Sequence, residues 1–131
     1  GQGVARRLAV SVPSHCPLLD GPAAELAAAF ATVELRRPCI TYLSGSSARP
    51  IHDPQRLCDD LAGNMARRVD WRATVRTAYE RGVRLHLEMP PGSVLSGLAR
   101  PVFEQGRVVA LEGTRADTVD ALLRQEVAHN R

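Results

Sequence analysis

Residues 11 to 16, Ser-Val-Pro-Ser-His-Cys, set a histidine at the end of an apolar run, Leu8-Ala9-Val10-Ser11-Val12. Pro13 fixes the approach of the chain, and a helical stretch follows. A histidine just past a strand sits where active sites gather in α/β sheets. His15 could strip a proton from a serine brought from elsewhere, if its other ring nitrogen were held by a carbonyl or carboxylate. It could equally be a ligand or a bystander, and on composition alone a structural histidine is the commoner case. His52 lies in a polar loop, His86 alternates within a strand, and His129 is near the end of the chain, so each has a weaker claim.

The other chemistries find less support. The GxSxG elbow that presents serine in α/β hydrolases is absent, and Ser46 and Ser93 read as loop and cap residues. Cys16, Cys39 and Cys58 are an odd number with wide spacings, which indicates neither a disulfide frame nor a zinc ribbon. His52, Asp53, Asp59 and Asp60 straddle a helix start and do not make a metal set, and Asp53 is better explained as a cap. Glu88-Met-Pro-Pro-Gly-Ser-Val-Leu-Ser-Gly follows a strand and opens a helix, so its N–H groups could meet an anion. It has neither the GxGxxG spacing nor a Walker lysine, and a tight turn that needs glycine explains it.

The elements that would position these residues follow from pattern. Strands are expected at about 7 to 12, 39 to 44, 83 to 89 and 108 to 113. A helix is expected over 22 to 30, with Pro22 in its first turn. Asp53 should cap a second, with Leu57, Leu61 and Met65 on one face, and Asp70 a third that closes on Gly82. A fourth should begin after Gly92-Ser93, and a fifth should run from about Asp117 to Val127, with Val119, Leu122, Leu123 and Val127 inward. This alternation predicts an α/β layer with parallel strands.

The chain has 131 residues, 44% of them hydrophobic, enough for a real core. All 17 basic residues are arginine, and the net charge of +3 is spread along the chain without a basic block. Nucleic acid is therefore not an expected partner. No apolar run approaches a membrane span, so no membrane partner is expected either. The first residues do not read as a signal peptide, and a cytoplasmic setting is the expectation. With few strands to make a sheet, the chain reads as part of a larger domain.

Three stretches in order carry a resemblance: Val10 to Leu19 (VSVPSHCPLL), Leu61 to Trp71 (LAGNMARRVDW) and Arg84 to Leu98 (RLHLEMPPGSVLSGL). They resemble motifs of the malonyl-CoA:acyl carrier protein transacylases. The resemblance implies an α/β fold: a hydrolase-like parallel sheet with flanking helices, plus the last strand of a ferredoxin-like small subdomain. Residues 1–14 would end that subdomain, and 15–131 would form the C-terminal part of the acyltransferase core. His15 falls on the family's catalytic histidine, and Asn64 on the residue whose backbone carbonyl holds the ring's far nitrogen. Gly92 matches the glycine of the turn. The family's nucleophilic serine, carboxylate-gripping arginine and oxyanion glutamine lie in segments upstream of the histidine, which these motifs do not include.

No bound cofactor is implied. The implied substrates are malonyl-CoA and the phosphopantetheine-type thiol of an acyl carrier protein. The implied partners are that carrier protein and the missing N-terminal portion of the same enzyme. Tyr42-Leu-Ser-Gly-Ser-Ser-Ala-Arg and Glu88-Met-Pro-Pro-Gly look most like the malonyltransferase (epsilon) subunit of malonate decarboxylase, which would add that enzyme's other subunits as partners. An acyltransferase domain of a fatty acid or polyketide synthase, and a non-catalytic α/β interaction module, are the alternatives.

Overall fold

A computed structural model describes residues 3–5, 7 and 10–129. They form two compact units, one of residues 1–46 and 50–69, the other of 47–49 and 70–131.

In the first unit a 3-10 turn, Pro17–Leu19, leads into helix α1, Asp20–Phe30. Strands β1, Tyr42–Leu43, and β2, Pro50–Ile51, pair antiparallel. Helix α2, Pro54–Gly63, follows and runs into a second 3-10 turn, Asn64–Ala66. The Asp53 carboxylate accepts from the Arg56 N–H at 2.8 Å, which satisfies an orphan donor of the first turn, and Pro54 occupies a position that needs none. α2 packs on α1 through small residues: Ala23, Cys58 and Ala62 are buried. The expected stripe is met in part: Leu57 and Met65 are half-buried, Met65 in the turn beyond the helix, while Leu61 is exposed.

In the second unit α3, Trp71–Glu80, is capped by Asp70, whose carboxylate accepts from the Ala73 N–H at 3.0 Å. The chain reverses at Gly82, φ +92°, a left-handed conformation that glycine adopts without strain. Strand β3, Leu85–Glu88, helix α4, Val94–Ala99, and strand β4, Arg107–Ala110, form a parallel β-α-β unit, and α5, Ala116–His129, follows. Val75, Ala99 and Phe103 form its core, flanked by Trp71, Tyr79, Val102 and Val108. His86 joins this cluster edge-on, with ring centroids 5.8 Å from Trp71 and 5.7 Å from Phe103. On α5, Val119 and Leu122 are half-buried as expected, but Leu123 and Val127 are exposed.

Two strand expectations are corrected. Among the described residues of 7 to 12 no strand forms; Leu8 and Ala9 lie outside the described residues. No described strand runs alongside to satisfy that segment's backbone, and Val10 and Val12 stay exposed. The stretch at 39 to 44 forms only a two-residue strand, and it pairs antiparallel with residues 50 and 51 rather than joining the parallel pair. The loop between them is too short for the crossover that parallel strands require. The architecture is mixed α/β, with one small parallel and one small antiparallel sheet. Among the described residues no helix is long and apolar enough to cross a membrane.

Candidate active site

His15 adopts a left-handed backbone, φ +61°. A β-carbon makes that conformation unfavourable, so it persists only where the surroundings fix it. Two contacts do so, both from the turn after α2. The His15 N–H donates to the Met65 carbonyl at 2.8 Å, and Nδ1 meets the Asn64 carbonyl at 2.9 Å. Residues 49 apart in sequence are thereby brought together. Pro13 contributes on the near side, where its carbonyl accepts from the Cys16 thiol at 3.1 Å and the Ser14 N–H donates back to Val12.

The partner of Nδ1 decides the chemistry of the ring. A carbonyl oxygen only accepts, so Nδ1 carries the proton. In the neutral ring Nε2 is then a bare lone pair. The side chain is exposed, which leaves that lone pair open to a proton donor. A ring in this state can act as a general base and afterwards return the proton as an acid.

Beside this turn lies a buried carboxylate. Asp60, on the inner face of α2, is 5% exposed. Its Oδ2 accepts from the Tyr42 hydroxyl at 2.8 Å, and its Oδ1 from Ser44 at 2.7 Å and Ser46 at 3.3 Å. Burial first, then the hydrogen bond to Asp60 and its charge, push the Tyr42 hydroxyl up to about 12. Hydroxyl donors so arranged make burial of the carboxylate tolerable. Nothing in the local pattern singled out Asp60, because its donors arrive from a segment about 15 residues earlier.

The turn at Glu88 to Leu98 belongs to the second unit. Gly92 has φ +92°, and its N–H donates to Glu112. The helix cap here is Glu88 rather than Ser93, which makes no capping bond. Glu88 accepts from the N–H groups of Leu95 and Ser96 at 3.0 and 2.6 Å. Burial opposes charge on this carboxyl, but the hydrogen bonds from Ser96 and Leu95 prevail and hold it below the ordinary glutamate range. His86 is shifted down by burial, against the smaller pull of Glu88. Among the described residues no cluster of histidine, cysteine or acidic side chains could hold a metal ion. His52 is exposed, and the side chain of His129 lies outside the described residues.

A histidine held in this way, in a mixed α/β chain, is a candidate base for proton transfer from a hydroxyl or thiol, the chemistry an acyltransferase needs. Comparison with known proteins supports that class. No family model matches the chain. It is 32% identical over 95 residues to the malonyl CoA-acyl carrier protein transacylase of Haemophilus influenzae, covering 72% of this chain and 30% of that protein. The crystal structure of FabD from Acinetobacter baumannii superposes with a TM-score of 0.77 at 29% identity, over 92% of this chain and 38% of that one. A malonyl-transacylase solved in complex with a type II polyketide synthase acyl-carrier protein gives a TM-score of 0.70 at 31% identity, over 79% and 33%. The family these relatives and structures support is that of the malonyl-CoA:acyl carrier protein transacylases, over its C-terminal part. The chain spans about a third of the length of the transacylases it matches.

Proposed function

We propose that this chain is the base-bearing C-terminal part of a malonyl-CoA:acyl carrier protein transacylase. The observation that carries the proposal is the hydrogen bond between His15 Nδ1 and the Asn64 carbonyl, which leaves Nε2 free to accept a proton. The nucleophilic serine would come from the N-terminal portion of the same enzyme. His15 takes the serine proton as the hydroxyl attacks the thioester of malonyl-CoA. The carbon–sulfur bond breaks, coenzyme A leaves with the proton, and malonyl rests on serine as an ester. His15 next deprotonates the phosphopantetheine thiol of the carrier protein, whose sulfur attacks the ester, and the serine oxygen recovers the proton. One thioester replaces another, so the reaction is nearly balanced, and a positioned base contributes about 10²–10⁴-fold to the rate. Asn64 acts through its carbonyl, as orienter of the ring. Gly92 supports the turn that carries it.

In this reading residues 1–14 end the small ferredoxin-like subdomain and 15–131 belong to the hydrolase-like core, in a cytoplasmic enzyme. A narrower assignment, the epsilon subunit of malonate decarboxylase, rests on the Tyr42 to Arg49 and Glu88 to Gly92 stretches, and adds that enzyme's other subunits as partners. The test is reconstitution. The chain is mixed with the serine-bearing portion of a transacylase, and malonyl transfer from coenzyme A to holo carrier protein is followed. Transfer that needs both parts and is lost with His15→Ala is expected. Undiminished transfer with His15→Ala refutes the role of the base, and no transfer at all favours a non-catalytic interaction module.

A further inference from the structure

We propose that Asp60 is a positioning residue for His15, acting through Asn64; this deepens the transferase reading and rests on it. The argument begins with what Asp60 holds. Its carboxylate binds Ser44 and Ser46, the two residues that flank Gly45, and also Tyr42 on β1. Ser46 adds a backbone hydrogen bond to the Ser44 hydroxyl at 3.3 Å, so the loop closes on the carboxylate from both sides. Gly45 thereby lies beside the Asn64 side chain: a β-carbon at position 45 would stand at ordinary van der Waals distance, 3.4 Å, from Asn64 Nδ2. Asp60 also sits one helical turn before Asn64, on the helix whose end becomes the Asn64–Ala66 turn.

One carboxylate thus fixes the turn from two directions, through the helix behind it and through the loop beside it. That turn supplies both contacts that hold His15, the Met65 carbonyl to its N–H and the Asn64 carbonyl to Nδ1. His15 is exposed, and among the described residues the Asn64 carbonyl is the hydrogen-bond partner of its ring. Loosening the turn lengthens the Nδ1 hydrogen bond and releases the tautomer preference. The proton then shifts toward Nε2, the atom that must be bare for the base to work.

The experiment reads the tautomer rather than turnover. The whole chain is labelled with ¹⁵N-histidine, His15 is assigned by the signal lost in His15→Gln, and its ring shifts give the ratio of Nδ1–H to Nε2–H. In Asp60→Asn the ratio is expected to fall about fivefold, the factor that a net hydrogen bond of ordinary strength commands. Asp53→Ala is the control, since it weakens the same helix at its far end without touching the loop. It should lower the melting temperature and leave the His15 ratio as in the parent. An unchanged ratio in Asp60→Asn, or an equal fall in Asp53→Ala, overturns the proposal. Should Asp60→Asn not fold, Tyr42→Phe and Ser46→Ala each remove one donor to the same carboxylate. A smaller fall of the ratio is expected in both, and a parental ratio in both overturns it. The ratio requires no transfer activity, so its outcome is separable from that of the reconstitution assay.

Discussion

Asp60→Asn also has a spectroscopic consequence at Tyr42. The Tyr42 hydroxyl is pushed up to about 12 by burial first, then by its 2.8 Å hydrogen bond to Asp60 and the charge there. The substitution removes the charge and weakens the bond but leaves the burial. A hydrogen bond to a charged acceptor contributes about 1.5 kcal/mol at a partly exposed site, equivalent to about one pKa unit. The Tyr42 inflection is therefore expected to fall by about one unit and to stay above the ordinary tyrosine value of about 10. The chain has two tyrosines, so tyrosinate absorbance in a Tyr79→Phe background isolates Tyr42. Linkage gives a second reading. A phenol that holds its proton more tightly when folded stabilises the fold fully below its unfolded value, and that stability is lost as pH rises through the folded value. Asp60→Asn should thus flatten the alkaline decline in stability. An unmoved inflection would refute the coupling, and a fall all the way to the ordinary value would refute the part assigned to burial.

Three further outcomes follow from the same structure. Asp53→Ala removes the α2 cap and should lower stability by about 1 kcal/mol in thermal melts. Phe103→Ala empties the centre of the second unit's core, with an expected loss of about 3–5 kcal/mol in urea titrations. His86 is shifted down by burial, so its neutral form belongs to the fold; stability from it is present above the unfolded histidine value and lost as pH falls below. The urea midpoint, followed by fluorescence of the sole tryptophan, Trp71, should drop between pH 7 and 5, and His86→Phe should make that drop smaller.

Local grammar was read well from the sequence. The caps at Asp53 and Asp70, the stop at Gly82 and the strand–turn–helix around Gly92 depend on neighbours within a few residues, and all are found. What depends on distant partners was not. Residues 7 to 12 have strand composition, yet a strand needs another alongside, and the described residues among them, 7 and 10 to 12, pair with none of the described strands. Pro50–Ile51 pairs with Tyr42–Leu43 from inside a stretch whose polarity reads as loop. Asp60 looks like a solvated helix residue until its three hydroxyl donors are known. Glu88 caps α4 from seven and eight residues before its donors, outside the window in which caps are recognised. The pairing of His15 with Asn64 was legible through family resemblance alone, since no local spacing connects positions so far apart.

The measurement that bears most directly on the proposed base is the pre-steady-state burst in which malonyl is loaded onto the serine of the reconstituted enzyme. With His15→Ala the burst rate should fall by about 10²–10⁴-fold, the usual contribution of a positioned base. A burst at the parental rate without the imidazole would contradict the account.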